Sequence, residues 1–307
     1  MGMKKYIAQR LLFTIFVIFG ISIMVFFITH MVGNPVDMLL PLNATEEQRV
    51  LMEQKLGLDK SLIEQLGSYL MNIVKVDFGT SWWRNIDCVD LIMTTLPETF
   101  KLVILAMIIT CGVAIPLGIL AGYKPGSLLD RVLTTFSMVG VCLPPFWIGL
   151  MVMLIFAVRL GWFPTSGMGS FSHMVLPALT LAFCPTAHLA QIVRFEMIQQ
   201  LNSMYAITAR AKGVSEMKVL FKHTFKNVLT AAITMIGADF IDLMAGASAT
   251  VESVFGYAGF GKMMTDTINN MDFPLLQAEV FFVSVIVCLV NLLVDILYAA
   301  FDPRIRY

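Results

Sequence analysis

Two carboxylates three residues apart, Asp239 and Asp242, interrupt an otherwise apolar stretch from about Val228 to Val251. On a helix that spacing puts both on one face. An ionised side chain at the centre of a bilayer costs at least about 2.5–3.5 kcal/mol, so such groups turn toward a cavity or a partner. Lining a pathway, the pair would favour cations. At an interface it would serve as hydrogen-bonding glue. The sequence leaves both readings open.

A second group of chemically capable residues lies just before. Residues 194–227 are basic, with Arg194, Arg210, Lys212, Lys218, Lys222 and Lys226, and are too polar to span a membrane. Ser203 can cap a short helix through Ala211. Gly213 can end that helix in a left-handed turn, and Ser215 can cap a second helix with Glu216 in its first turn. Helix, glycine turn and helix form a stiff knob over 203–226. Such a knob suits a groove on a soluble partner. The alternative is an amphipathic pair lying on anionic lipid.

Other chemistries find little support. His30, His173, His188 and His223 show no ligand spacing, so no metal site is expected. The 22 methionines fall mostly at helical positions in apolar runs, where Met packs as a flexible filler. Cys88, Cys111, Cys142, Cys184 and Cys288 are scattered without a C-x-x-C pair. No G-x-x-x-x-G-K-[ST] phosphate loop occurs, so this chain is not expected to hydrolyse nucleotide. Energy for any work must come from a partner or an ion gradient. Neither H-E-x-x-H nor G-x-S-x-G is present, which ranks an intramembrane enzyme last.

The elements that position these residues are set by composition. Of 307 residues, 58% are hydrophobic and only 14% charged, against about 25% charged in soluble domains. The zero net charge gives no sign of a nucleic-acid partner. A helix needs about 20 apolar residues to cross a bilayer. Six segments fit: Leu11–Val32, Leu102–Tyr123, Val132–Val158, Met174–Val193, Val228–Val251 and Leu275–Phe301. The first is preceded by Lys4, Lys5 and Arg10, outruns a signal-peptide core, and reaches Asn34-Pro35 without a small-x-small cleavage site. It is read as an uncleaved helix. Pro116, Pro144-Pro145, Pro177 and Pro185 predict kinks within a packed bundle.

Lys and Arg set the orientation. With the N-terminus inside, the cytoplasmic side holds Lys124, Arg131 and the whole basic knob, along with both termini and their Arg304 and Arg306. Most outer cations fall in one long loop, where the rule is weak. Both termini are therefore expected in the cytoplasm. The expected organisation is an N-terminal segment and first helix (1–32), an extracytoplasmic insertion (33–96) and a five-helix core (97–307). The insertion is acid-rich. Within it, Thr45 before Glu46 and Glu47 predicts a capped helix through Leu56 with Gly57 as its stop. A second short helix is expected from Ser61 to Val74.

Several segments resemble a known family. Tyr205-Ala-Ile-Thr-Ala-Arg-Ala-Lys-Gly-Val-Ser215 resembles the cytoplasmic coupling motif of binding-protein-dependent ABC importer permeases, in the branch for dipeptides, oligopeptides and nickel. Asp77-Phe-Gly-Thr-Ser81 is similar to that family's outer-loop segment. Phe156-Ala-Val-Arg-Leu-Gly-Trp-Phe-Pro164 and Leu176-Pro-Ala-Leu-Thr180 are similar to its third and fourth helix junctions. Asn291-Leu-Leu-Val-Asp295 and Phe301-Asp-Pro-Arg-Ile-Arg306 are similar to its C-terminus. The order and the six-helix layout match the first, B-type, of the two permeases.

The resemblance implies an all-α integral membrane fold: six transmembrane helices, an extracytoplasmic insertion after the first, and a coupling-helix segment between the fourth and fifth. It implies a multi-pass permease in a prokaryotic cell membrane, paired with a second homologous permease around a pathway. Two ATPase subunits would dock below and bind ATP and magnesium, leaving this chain without a cofactor or catalytic residue of its own. An extracytoplasmic solute-binding protein would deliver the solute, a peptide by first choice and nickel or a metal chelate by second. Carried over by position, Tyr205, Thr208, Ala209, Arg210, Ala211, Lys212 and Gly213 would form the ATPase-docking contact. Ala209 and Ala211 would permit close approach, and Arg210 and Lys212 would offer charge. Glu252 and Asp295 are family-like positions read as structural. Asp239 and Asp242 would line the pathway, favouring a cationic group such as a peptide amino terminus, or hydrogen-bond at the permease–permease interface. The general importer pattern has a leucine-proline pair after the second coupling helix. Asn227-Val-Leu-Thr-Ala lacks that proline, which bears on how the fifth helix leaves the segment. An ion-gradient-driven secondary transporter is the alternative of another class. It would favour an inverted repeat, which the sequence does not display.

Overall fold

The structure is a computed structural model that describes residues 3–32, 36, 40 and 44–301. Asn34-Pro35, Asp37 and the stretch 302–307, with Arg304 and Arg306, lie outside the described residues. Among the described residues the regular secondary structure is helical, apart from one isolated bridge between Thr80 and Asp87. Five helices are long and apolar enough to cross a membrane, and a bent pair makes a sixth crossing if it counts as one.

In chain order the helices are α1 (Met3–Val32), α2 (Glu46–Leu56), α3 (Leu62–Lys75), α4 (Cys88–Tyr123), α5 (Leu128–Cys142), α6 (Pro145–Arg159), α7 (Phe171–Leu201), α8 (Met204–Ala211), α9 (Glu216–Phe255), α10 (Phe260–Asn269) and α11 (Phe273–Phe301). The chain divides into two compact units. One comprises Glu98–Lys262 and Leu289 onward; the other comprises Lys4–Pro97 and Met263–Cys288.

In the second unit, the short helices form where their caps dictate. Thr45 and Gln48 exchange backbone and side-chain bonds in a capping box, and Gly57 ends α2 in the left-handed region at φ 70°. Ser61 and Glu64 repeat the box at the start of α3. Asp272 caps the start of α11, accepting from Leu275 N–H at 3.4 Å. The same carboxylate accepts Ser81 O–H at 2.5 Å and Trp83 N–H at 3.2 Å, fastening the 77–83 loop.

The first unit packs around α7. Gly118 and Gly122, one turn apart on α4, let that helix approach α7 backbone to backbone. A Cβ on Gly118 would stand 2.8 Å from Ala190 O and one on Gly122 would stand 2.8 Å from Arg194 O. Small residues at this spacing are how membrane helices gain close packing without a hydrophobic driving force. Leu189, Val193 and Met197 of α7 are fully buried in the cluster that results.

Two expectations change in form. Val132–Val158 is not one straight crossing: α5 and α6 meet at 108° across Leu143-Pro144. Pro144 caps α6 and Pro145 opens it, and two successive residues without N–H cannot continue the α5 ladder. The fifth helix does not begin near Val228. It is continuous from Glu216 to Phe255, widening into π-helix at Val219–Thr224 and Leu243–Ala247. With no proline after Asn227, nothing breaks the second half of the basic knob from the span that follows.

Candidate functional site

The knob is built from its turn outward. Gly213 adopts φ 77° after α8, its N–H bonding Arg210 O at 2.9 Å, while Val214 N–H reaches Ala209 O at 3.2 Å. These two bonds make a Schellman ending. Val214 packs on the buried cluster that holds Ala206, Ala209, Val219 and Leu220. Arg210 spans the turn. Its Nε and Nη2 donate to Glu216 at 2.8 and 3.3 Å, and its Nη1 donates to Leu201 O at 2.8 Å. One guanidinium thus ties the end of α7, the end of α8 and the first turn of α9. Glu216 there also complements the α9 N-terminus. Tyr205 O–H donates to Gln200 Oε1 at 2.5 Å, and Asn227 Nδ2 donates to Tyr205 Oη at 2.9 Å.

The docking residues expected from sequence divide into two groups. Tyr205, Thr208, Ala211, Lys212 and Gly213 are exposed. Ala209 is buried and packs inward, and the charge of Arg210 is engaged within the chain by Glu216. Met204, Ile207, Met217 and Phe221 add an exposed apolar component that the sequence reading did not single out. Ser203 and Ser215 occupy the cap positions without capping bonds; Ser203 Oγ donates to Gln200 O at 2.6 Å instead.

The two aspartates of α9 differ. Asp239 is 6% exposed, with Oδ1 at 3.6 Å from His188 Nδ1 of α7. Its Oδ2 is buried without a hydrogen-bond partner. Asp242 is exposed. Sequence spacing set the two residues three apart on one helix but could not show that one is buried beside His188 while the other is exposed. That pairing is long-range and left no local signal.

Two further carboxylates hold elements in place. Glu252 is fully buried. It accepts Thr99 O–H at 2.5 Å and the N–H of Lys262 at 2.8 Å, capping α10 from the end of α9. Thr99 Oγ1 accepts Phe260 N–H at 2.8 Å in turn. This matches the structural role expected of Glu252. Nearby, Tyr257 donates to Glu98 at 3.3 Å, and burial with that carboxylate holds its phenol above the ordinary range. Asp130 and Arg194 form a second buried link, between α5 and α7. Among the described residues, no three His, Cys, Asp or Glu side chains gather as a metal site.

Long apolar helices, a rigid polar projection between two of them and buried polar links define a helical membrane subunit. Comparison supplies the family. Residues 114–307 match the family described as the binding-protein-dependent transport system inner membrane component. The chain is 36% identical over 306 residues to the glutathione transport system permease protein GsiC of Escherichia coli K12, covering 99% of this chain and 100% of that one. It is 37% identical over 317 residues to the oligopeptide transport system permease protein AppB of Bacillus subtilis, again over 99% and 100%. Among solved structures, an inward-facing MetNI methionine ABC transporter matches with a TM-score of 0.56 at 16% identity, over 69% of this chain and 96% of that chain. An amino acid ABC transporter with histidines matches at 0.52 and 20%, over 71% and 95%. The chain belongs to the family of binding-protein-dependent inner membrane transport components. It is a multi-pass permease subunit of an ABC-type importer.

Proposed function

We propose that the solute is a peptide and that this permease forms half of the pathway of an ATP-driven importer. The observation that carries the reading is the end-to-end similarity to permeases named for glutathione and oligopeptide transport. Glutathione is itself a tripeptide, so both names point to one chemical class.

In this reading the second half of the pathway is a homologous permease, and two ATPase subunits bind ATP and magnesium. A solute-binding protein delivers peptide to the side bearing the 33–96 insertion, while both termini stay in the cytoplasm. The α8 turn, with Tyr205, Thr208, Ala211, Lys212 and Gly213 exposed, is the ATPase-docking surface. Arg210 and Ala209 shape it from within. The rigidity of the turn supports this role, because a projection must be stiff to transmit force. Asp239 and Asp242 belong to the pathway side of α9.

Cross-linking from a cysteine at Lys212 tests the docking assignment, with capture of an ATPase subunit expected. Ligand identification on the cognate binding protein tests the substrate. A peptide is expected there; a nickel complex would redirect the reading within the same family, and a complex that transports without any ATPase would end it.

A further inference from the structure

Asp239 and His188 sit well inside α9 and α7, away from either helix end, yet the His188 side chain is 39% exposed and Asp242 is exposed one turn on. Charged and polar groups exposed at membrane depth avoid lipid and turn toward a water-filled space or a protein partner. The π-helical stretch Leu243–Ala247 begins directly after Asp242. Such bulges widen the helix and cluster at functional sites. Ala245 and Gly246 within it are exposed, and nothing lies within 4 Å of a Cβ built on Gly246. Small side chains there leave room beside the carboxylate.

The buried member of the group has a different task. Asp239 places one oxygen 3.6 Å from His188 Nδ1, so Nε2 is the ring nitrogen further from that carboxylate. A ring nitrogen that carries a proton can donate to an acceptor such as a carboxylate. Asp242 offers the opposite polarity. It stands about 5 Å further along the helix axis than Asp239. The two ends of an extended dipeptide are about 7 Å apart.

We propose that His188 and Asp242 form a zwitterion-reading site within the permease, His188 receiving the carboxylate end of a short peptide and Asp242 its ammonium end, with Asp239 as the positioning residue behind His188. The site deepens the peptide reading and rests on it. It also revises the shared-face view of the two aspartates, since only Asp242 meets solute.

Saturation-transfer NMR on the detergent-purified importer, without its binding protein, reads the site directly. The probes are dialanine, N-acetyl-dialanine and dialanine amide. The wild-type complex should favour dialanine over both blocked forms by about tenfold. Asp242→Asn should erase the preference over N-acetyl-dialanine and keep that over the amide. His188→Gln should do the reverse. Asp239→Asn should behave as His188→Gln does, a split that a merely structural role would not produce. The double variant His188→Gln/Asp239→Asn leaves no buried unpaired charge, and it should reproduce the same loss if a single variant does not assemble. Uptake of dialanine by the complete system separates the two levels. If dialanine is not taken up, the proposed site loses its ligand and is overturned, and the peptide reading fails with it only if no longer peptide is taken up either. If dialanine is taken up but the complex binds none of the probes, does not discriminate among them, or keeps its preferences in the variants, the site alone is overturned and the pair serves the permease–permease contact.

Discussion

Arg194 of α7 grips the carboxylate of Asp130 in the first turn of α5, and Gly126 N–H donates to the same carboxylate at 2.8 Å. Asp130 is 4% exposed and the Arg194 side chain 24% exposed, so the carboxylate end of the pair is buried with its oxygens engaged and the guanidinium end is half-buried. Removing one partner of such a pair strands a charge and costs about 3–5 kcal/mol, whereas replacing both is far milder. Arg194→Met should therefore lower the thermal midpoint of the purified complex sharply. Adding Asp130→Asn should recover much of the loss. A double variant less stable than the single would show that the pair contributes no mutual compensation.

The Arg210–Glu216 pair is different in kind. Both side chains are about a third or more exposed, and an exposed pair is worth about 0–1 kcal/mol. Its loss should scarcely change the melting temperature. Its geometric role is larger, because the same guanidinium holds Leu201 O. Arg210→Met should leave the complex assembled while raising the ATP hydrolysed per solute imported. Hydrogen exchange over Leu201–Ala211 should quicken in parallel. Unchanged coupling with slack exchange would separate the brace from force transmission.

Much of this was readable in the residues, and the readable part has a physical pattern. Some local signals carried through: the Thr45 cap, the Gly57 stop and the Gly213 turn depend on neighbours within four or five residues, whereas the caps expected of Ser203 and Ser215 did not form. The apolar runs also carried through, because a bilayer imposes a length. What was lost is long-range. The sequence could place Asp239 and Glu252 on helices, but not find His188 or Thr99 across the bundle as their partners. Pro144-Pro145 announced a break without giving its 108° size, which depends on what α6 packs against. The missing proline after Asn227 was visible, and it permits without dictating the single helix from Glu216 to Phe255, which was not read from the sequence.

The close approach of α4 to α7 gives a graded test. Gly118→Leu and Gly122→Leu would place a Cβ 2.8 Å from a backbone oxygen, closer than side chains ordinarily approach. Overpacking of this sort costs about 1–3 kcal/mol. Gly112 lies on the same helix with nothing within 4 Å of its Cβ position. Gly112→Ala should be neutral or slightly stabilising, since alanine favours the helix by up to about 1 kcal/mol. Comparable losses at all three positions, read as yield of folded complex and thermal midpoint, would mean the glycines act through the backbone and not through contact.

Glu252 allows the sharpest separation of charge from shape. Its carboxylate serves Thr99 and the start of α10, and a Cβ on Gly259 would stand 2.5 Å from both carboxylate oxygens. Glu252→Ala strands buried donors, each at about 1–3 kcal/mol, and opens a hole. Glu252→Gln keeps an acceptor oxygen, so it should cost less. Gly259→Ala should be damaging for the opposite reason, by displacing the carboxylate from the donors it serves. The two defects act on the same atoms and should not add. In Glu252→Ala the hole accepts the new methyl, so the double variant should be no less stable than Glu252→Ala alone. A double variant that loses the full sum of both would place the Gly259 defect in its own backbone and detach it from the carboxylate.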